Sequence, residues 1–249
     1  MTIFDRDHLK RSFARFFPPA CAGCEGSAVP DQAFCSICQW AATPLRPPCC
    51  ARCSVPMDRF YDSEATSSLC SRCQRHRPAY RQVMAYWEYD GAVADAIRRI
   101  KYGNDLPALR ALCRGAQRWF TSTLAELPPG IPIVAIPAHR QELRRRGFHV
   151  PSLALRFLRS RGATWQVAPI LEKRHPTPSQ ASLPFAERHK NVEGAFRARG
   201  PDPNSTAAIL FDDVLTTGAT ANAACGALKE AGFDDVYVLV LARAPRTNL

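Results

Sequence analysis

No apolar run in this sequence approaches the roughly 20 residues that a helix needs to cross a membrane. A helical anchor is therefore not expected. The stretch from Met1 to Phe17 lacks both an uninterrupted apolar core and a cleavage-like segment, so it does not read as a signal peptide. Leu9, Phe13, Phe16 and Phe17 fit a short amphipathic helix docked on the neighbouring domain instead. Without an export signal, a cytoplasmic setting is expected. Lysine is scarce: arginine makes up 28 of the 33 basic residues. Acidic residues are scarce in one region only. Residues 98–190 hold 5 Asp and Glu against 17 Lys and Arg, a local balance of +12 in a chain of formal charge +11. The remainder is close to neutral. Such a stretch reads either as solvated helix faces or as a surface for polyanions, pyrophosphate at one point and nucleic acid along a stripe.

What is present fits a soluble globular protein. The 249 residues are 46% apolar and 22% charged, enough for one sizeable α/β domain with a small appendage. The 11 cysteines are patterned. Cys21-x2-Cys24, Cys35-x2-Cys38, Cys50-x2-Cys53 and Cys70-x2-Cys73 are CxxC knuckles, and the chain has no other internal repeat. A knuckle supplies two thiolates from one tight turn, and two knuckles complete a tetrahedral shell, so structural Zn²⁺ is expected, two ions in all. Sequential pairing groups Cys21, Cys24, Cys35 and Cys38, then Cys50, Cys53, Cys70 and Cys73; interleaved pairing is the alternative. A disulfide framework does not suit a chain without an export signal. Metal would also account for the folding of a proline-rich segment with little core. Cys113 and Cys225 fall in helical patterns and read as small buried apolar residues. Cys49 is left over.

From about Val83 the texture changes. Strands are expected over Val83–Tyr89, Ile131–Ile136 and Val236–Leu241. Helices are expected over Gly91–Lys101, Ala108–Leu127 and Val150–Arg161. This alternation implies a mostly parallel sheet with crossover helices. The domain division falls as 1–80 and 81–249.

The most informative segment is Ile209 to Thr220. The run Ala207–Phe211 has the length and branching of a buried strand. It is expected to stop at Asp212 and Asp213 and to be followed by Thr216-Thr217-Gly218-Ala219-Thr220. Ala221, Ala224, Cys225 and Leu228 then follow helical spacing. A loop opening a helix presents unpaired N–H groups to a phosphate, Gly218 permits close approach, and the threonine hydroxyls donate further bonds. Two carboxylates would repel that phosphate unless they served a diol one sugar length away. A ribose 5-phosphate meets both demands. Turn and cap roles explain one such residue, not the whole set.

These residues resemble the PRPP-binding loop of type I phosphoribosyltransferases. The resemblance implies that Asp212 and Asp213 hold the ribose 2′- and 3′-hydroxyls and that Thr216, Thr217, Gly218, Ala219 and Thr220 cradle the 5′-phosphate. Three more segments extend it. They are Ile136-Pro137-Ala138-His139-Arg140 with Arg144-Arg145-Arg146-Gly147-Phe148, Lys173-Arg174-x2-Thr177-x2-Gln180-x2-Leu183 followed by Arg188 and Asn191, and Lys101-Tyr102-Gly103. Taken with the cysteine knuckles, the order resembles the ComF family of competence-associated phosphoribosyltransferase-like proteins over nearly the whole chain. That resemblance implies an α/β type I phosphoribosyltransferase fold with a small N-terminal double zinc ribbon. It also implies a link to DNA uptake. The family pattern Arg-Gly-Phe-Asn-Gln reads Arg146-Gly147-Phe148-His149-Val150 here, so the chain departs from the family at its last two positions.

Loss of pyrophosphate from the anomeric carbon develops positive charge on the ribose ring. Arg140, Arg144, Arg146, Lys173 and Arg174 are candidates to hold the departing pyrophosphate, with Mg²⁺ bridging it. Asp212 and Asp213 would favour the oxocarbenium-like transition state, which makes them, with Lys173 and Arg174, the candidate catalytic set. Arg174–Gln180 is a candidate mobile cover, or an ordinary exposed connection. His139, His149 and His175 are candidate acid–base groups, although structural histidines are commoner. Two functional readings result. In the first, ribose 5-phosphate passes from PRPP to an acceptor. In the second, the same pocket only senses PRPP or a nucleotide, while basic and zinc-ribbon surfaces hold single-stranded DNA. Tyr86, Trp87, Tyr89, Tyr102 and Phe148 would supply stacking there, unless they are core. The ribbons are also a candidate docking platform for a helicase of the uptake machinery.

Overall fold

The computed structural model describes residues 18–57, 68–159, 163–175, 192, 194–201 and 206–245. The amphipathic stretch before residue 18, Pro176–Gln180 of the candidate cover, and Leu183, Arg188 and Asn191 lie outside them. In chain order the elements are α1 (Ser36–Trp40), α2 (Ser71–Arg75), β1 (Gln82–Glu88), α3 (Gly91–Gly103), α4 (Leu106–Ala125), β2 (Ile133–Ala135), α5 (Arg140–Arg146), α6 (Val150–Leu158), β3 (Leu171–Lys173), β4 (Phe196–Ala198), β5 (Ala207–Leu215), α7 (Ala219–Glu230) and β6 (Asp235–Arg243).

Four strands form one sheet in the order β1-β6-β5-β2, and every pairing in it is parallel. β3 and β4 pair antiparallel as a separate two-stranded unit. The parallel sheet has helices on both faces, as the strand–helix alternation requires. Successive residues of a strand point to opposite faces. Ile209 and Phe211 accordingly join α3, α4 and α6 in one core. Ala208 and Leu210 join α7 and the β3–β4 pair in the other. Both faces of the sheet are covered, so β6 and the Ala207–Phe211 part of β5 read as largely continuous apolar runs rather than alternating ones.

Each ribbon extends one of these cores. Cys21, Ala22, Ala33 and Phe34 pack with the α3–α4–α6 face. Cys50, Cys53, Val55, Cys70, Cys73 and Tyr80 pack with the α7 face. The chain between the ribbons covers the open side of β1, where Leu45 N–H donates to Tyr86 O and Glu88 N–H to Thr43 O, both at 2.9 Å. A pairing strand edge is thereby closed.

Several boundaries move from their expected positions for identifiable reasons. β5 does not stop at Phe211. Its ladder with β6 continues through Asp212↔Val240 to Leu215↔Arg243, so both carboxylates are strand residues. α4 begins at Leu106 because Asp105 caps it, its Oδ1 accepting from Ala108 N–H at 2.9 Å, with Pro107 in the first turn. α6 ends at Leu158, where Arg159 turns extended and its guanidinium lies 5.6 Å from the Trp165 ring centroid. Cys113 and Cys225 are fully buried, as small apolar residues should be. Trp87 is core, and Tyr86 stacks on Trp119 with centroids 5.4 Å apart. Tyr102 alone among the five candidate stacking aromatics is exposed.

Candidate functional site

The Asp212–Asp213 pair lies near the carboxyl end of β5, a central strand, where open α/β sheets place their ligands. Alternation divides the two side chains. Asp213 is buried toward the α3 face, and the last turn of α3 brings Lys101 to it, with Nζ 2.7 Å from Asp213 Oδ2. Asp212 is only half-buried, and its Oδ1 accepts from Asp213 N–H at 2.9 Å. Burial, and then the neighbouring Asp213 charge, push the Asp212 carboxyl well above the ordinary range, against the opposing pull of Lys101. For Lys101, burial opposes the charge, but Asp213 and Asp212 outweigh it and hold the ammonium more firmly protonated than usual. The site thus contains two carboxylates and a built-in cation.

In the sequence Lys101 stands out only within Lys101-Tyr102-Gly103. Nothing in its spacing pairs it with an aspartate 112 residues later. Arg146 is joined to the same cluster, since its Nε donates to Lys101 O at 3.1 Å.

After β5 the chain turns through Thr216, Thr217 and Gly218. Gly218 has φ +80°, in the left-handed region, and a Cβ there would come within 3.3 Å of Tyr80 Oη. Thr217 Oγ1 accepts from Ala219 N–H at 3.3 Å, and Asn222 N–H donates to Gly218 O at 2.8 Å as α7 begins. The expected loop-to-helix junction is present, shortened because Ala219 and Thr220 are already helical. Ala221, Ala224, Cys225 and Leu228 form its buried stripe.

The basic candidates separate. Lys173 is largely buried and pairs with Glu142 at 3.2 Å, tying β3 to α5. Arg140, Arg144 and Arg174 are exposed, and no hydrogen bond or ion pair joins them to Asp212 or Asp213. The basic stretch as a whole is not a stripe of free cations. Arg99 donates to Ala22 O and Gly23 O, and Arg114 to Gln32 O and Ala20 O. Arg110 lies over Phe157. Many of its charges therefore hold the fold together.

Two of the three candidate histidines make structural hydrogen bonds. His139 caps α5, its Nδ1 accepting from Gln141 N–H at 3.3 Å. His149 Nε2 donates to Ile136 O at 2.8 Å and Nδ1 accepts from Ser152 Oγ at 2.7 Å, which engages both ring nitrogens. Burial lowers the His149 imidazole below its usual range, despite the Ile136 carbonyl and Asp213 favouring the charged form. His175 is exposed.

The eight knuckle cysteines form two clusters, Cys21/Cys24/Cys35/Cys38 and Cys50/Cys53/Cys70/Cys73, with the sulfur atoms of each within 4.8 Å of one another. Pairing is sequential, not interleaved. Backbone N–H groups point at the sulfurs: Gly23 and Cys35 to Cys21 at 3.2 Å, Cys38 to Cys35 at 3.4 Å and Cys70 to Cys50 at 3.3 Å. Burial works against ionising Cys21, but the N–H groups of Cys35, Cys24 and Gly23 outweigh it and lower the thiol to about 6. Burial and then the Cys50 charge push Cys73 up to about 12. Four cysteine sulfurs this close form a complete ligand set for a divalent cation, and four sulfur ligands suit Zn²⁺. Cys49 stands apart, half-buried, its Sγ donating to Arg46 O at 3.1 Å. Burial, and then Glu88, raise its thiol above the usual range.

Two comparisons bear on these features. Residues 13–76 match the double zinc ribbon domain family. The chain is also 25% identical over 244 residues to a protein of Haemophilus influenzae named Competence protein F, covering 92% of this chain and 99% of that protein. The resemblance to the ComF family therefore holds along the chain. The ComF-like order places a double zinc ribbon before a parallel sheet flanked by helices, and both are present. Among the described residues no helix is long and apolar enough to cross a membrane.

Proposed function

We propose that this chain is a phosphoribosyltransferase-like protein linked to natural competence, which binds PRPP and passes ribose 5-phosphate to an acceptor. The observation that carries the reading is the Asp212–Asp213 pair followed, within one turn, by the Gly218 junction at the start of α7. The exposed edge of Asp212 takes the ribose diol, and the N–H groups after Thr217 take the 5′-phosphate. Lys101 lies 2.7 Å from Asp213 Oδ2, so its positive charge lowers the net repulsion of the pair toward an anionic ligand. Arg140, Arg144, Arg146 and Arg174 are proposed to neutralise the pyrophosphate. Lys173 is proposed to set α5 through Glu142, a positioning role rather than a catalytic one. The donor set fits Mg²⁺, an ion that prefers carboxylate and phosphate oxygens. When bound with PRPP it would neutralise the leaving pyrophosphate. The setting is proposed to be cytoplasmic, and the two domains to divide near residue 80.

Calorimetric titration of PRPP with Mg²⁺ tests this. Binding by the parent and its loss in Asp212→Asn/Asp213→Asn are expected, with pyrophosphate release once the acceptor is supplied. A parent that binds no PRPP overturns the reading. A parent that binds PRPP but releases no pyrophosphate with any base or nucleic acid favours the second reading, a non-catalytic sensor that holds single-stranded DNA. One feature favours that alternative. A cleft of about 640 Å³ between the second ribbon and the sheet is lined by Arg52, Arg77, Arg81 and Lys229, with Asp235 as its one carboxylate. Binding of a single-stranded oligonucleotide there would weaken steeply with salt. A helicase of the uptake machinery is the corresponding protein partner.

A further inference from the structure

The second ribbon touches the sugar-phosphate loop itself, and the first does not. Arg72 lies between the ligands Cys70 and Cys73, and its Nη1 donates to Thr217 O at 2.8 Å. Arg243, at the end of β6, is 6% exposed. Its Nε donates to Cys53 O at 2.8 Å, and its Nη1 to Leu215 O at 3.0 Å and to Thr216 O. One buried guanidinium therefore joins a backbone carbonyl of a zinc knuckle to two carbonyls at the entry of the loop. Just after the knuckle, Ala79 N–H donates to Asn222 Oδ1 at 2.7 Å, on the first turn of α7, and Tyr80 lies against Gly218. The first ribbon makes its side-chain bonds to α3 and α4 through Arg99 and Arg114.

We infer that Arg72 and Arg243 are positioning residues for residues 215–218, and that metal at Cys50, Cys53, Cys70 and Cys73 sets that loop through them. The knuckle fixes the Cys53 carbonyl and the start of α2. Those two points fix the two guanidinium groups, and the guanidinium groups hold the loop carbonyls inward. With its carbonyls held, the loop turns its N–H groups toward the ligand. Among the described residues, zinc at the first cluster has no such path to the loop. As regards PRPP, the inference rests on the proposed function. As regards the loop, it does not.

Hydrogen–deuterium exchange on the zinc-loaded full chain tests it. In Arg72→Ala, zinc content stays at the parental value while peptides covering 214–222 exchange roughly tenfold faster, the effect of one lost charge-assisted bond. Arg114→Ala, which loosens the first ribbon, leaves those peptides unchanged. Selective loss of the second zinc, in Cys73→Ser, reproduces the Arg72→Ala pattern, and Cys24→Ser does not. Where PRPP with Mg²⁺ binds the parent, Arg72→Ala weakens it about tenfold. Unchanged exchange at 214–222 in a folded, zinc-loaded Arg72→Ala overturns the inference. Faster exchange in a protein whose parent binds no PRPP upholds the coupling and removes only the PRPP reading.

Discussion

The two ribbons use the same four-cysteine chemistry on opposite faces of one sheet, yet they are placed for different tasks. The first keeps part of its cluster near solvent, with Cys24 exposed and Cys35 and Cys38 half-buried, and it buttresses α3 and α4. The second has four buried cysteines and borders the turn after β5. A metal knuckle is a rigid peg whose use depends on what its backbone carbonyls meet. Here one set meets helix-borne arginines, and the other meets an arginine that also grips the loop.

The largest expected effect comes from emptying the first ribbon's core. Phe34 is fully buried and sits edge-on to Trp87 with centroids 6.0 Å apart. Phe34→Ala should destabilise by about 3–5 kcal/mol in denaturant melts and should speed chelator removal of one zinc while sparing the other. Simultaneous loss of both ions would break the separation of the two ribbons. A smaller effect is expected at the docking seam. A Cβ on Gly115 would meet the Ala33 nitrogen and Cβ at 2.7 Å each, so Gly115→Ala should cost about 1–3 kcal/mol despite the better helix propensity of alanine. Thermal melts measure this, and a stabilised variant would mean the ribbon moves freely on α4.

Asp212→Asn should act the other way. Because the folded carboxyl titrates above its ordinary value, the native state binds the extra proton, and stability falls as pH rises from about 4 through the folded pKa. The variant lacks that loss. It should match the parent below about pH 4 and exceed it by on the order of 1 kcal/mol at pH 7, while losing PRPP binding. Equal stability at both pH values would show that Lys101 already compensates the charge. The smallest effect is expected outside both clusters. Cys49→Ser keeps a donor for Arg46 O and should change stability by less than about 0.5 kcal/mol, with zinc stoichiometry unaltered.

The elements legible in sequence were those fixed by local rules. The Ala221–Leu228 stripe, the two dry strands and the CxxC knuckles depend on periodicity and ligand spacing, and each is present. Boundaries were less legible where a partner decides them. β5 runs past its carboxylates because β6 is there to pair with Asp212, and no local signal at Asp212 records that. The arginine-rich middle is poorly legible for a related reason. Composition counts charges but does not show that Arg99 and Arg114 end on ribbon carbonyls, or that Lys101 ends on Asp213.

Alone, the sequence determined the metal chemistry, the strand–helix alternation and the acidic pair ahead of a glycine turn, because each is a pattern within one short segment. Tertiary structure decided which knuckles pair, which charges remain free, and that a ribbon cysteine and the turn after β5 share one arginine. Those outcomes join residues far apart in the chain, such as Arg72 with Thr217 and Cys53 with Arg243. Distances of that kind are set by how the two ribbons pack on the sheet, which no local spacing encodes.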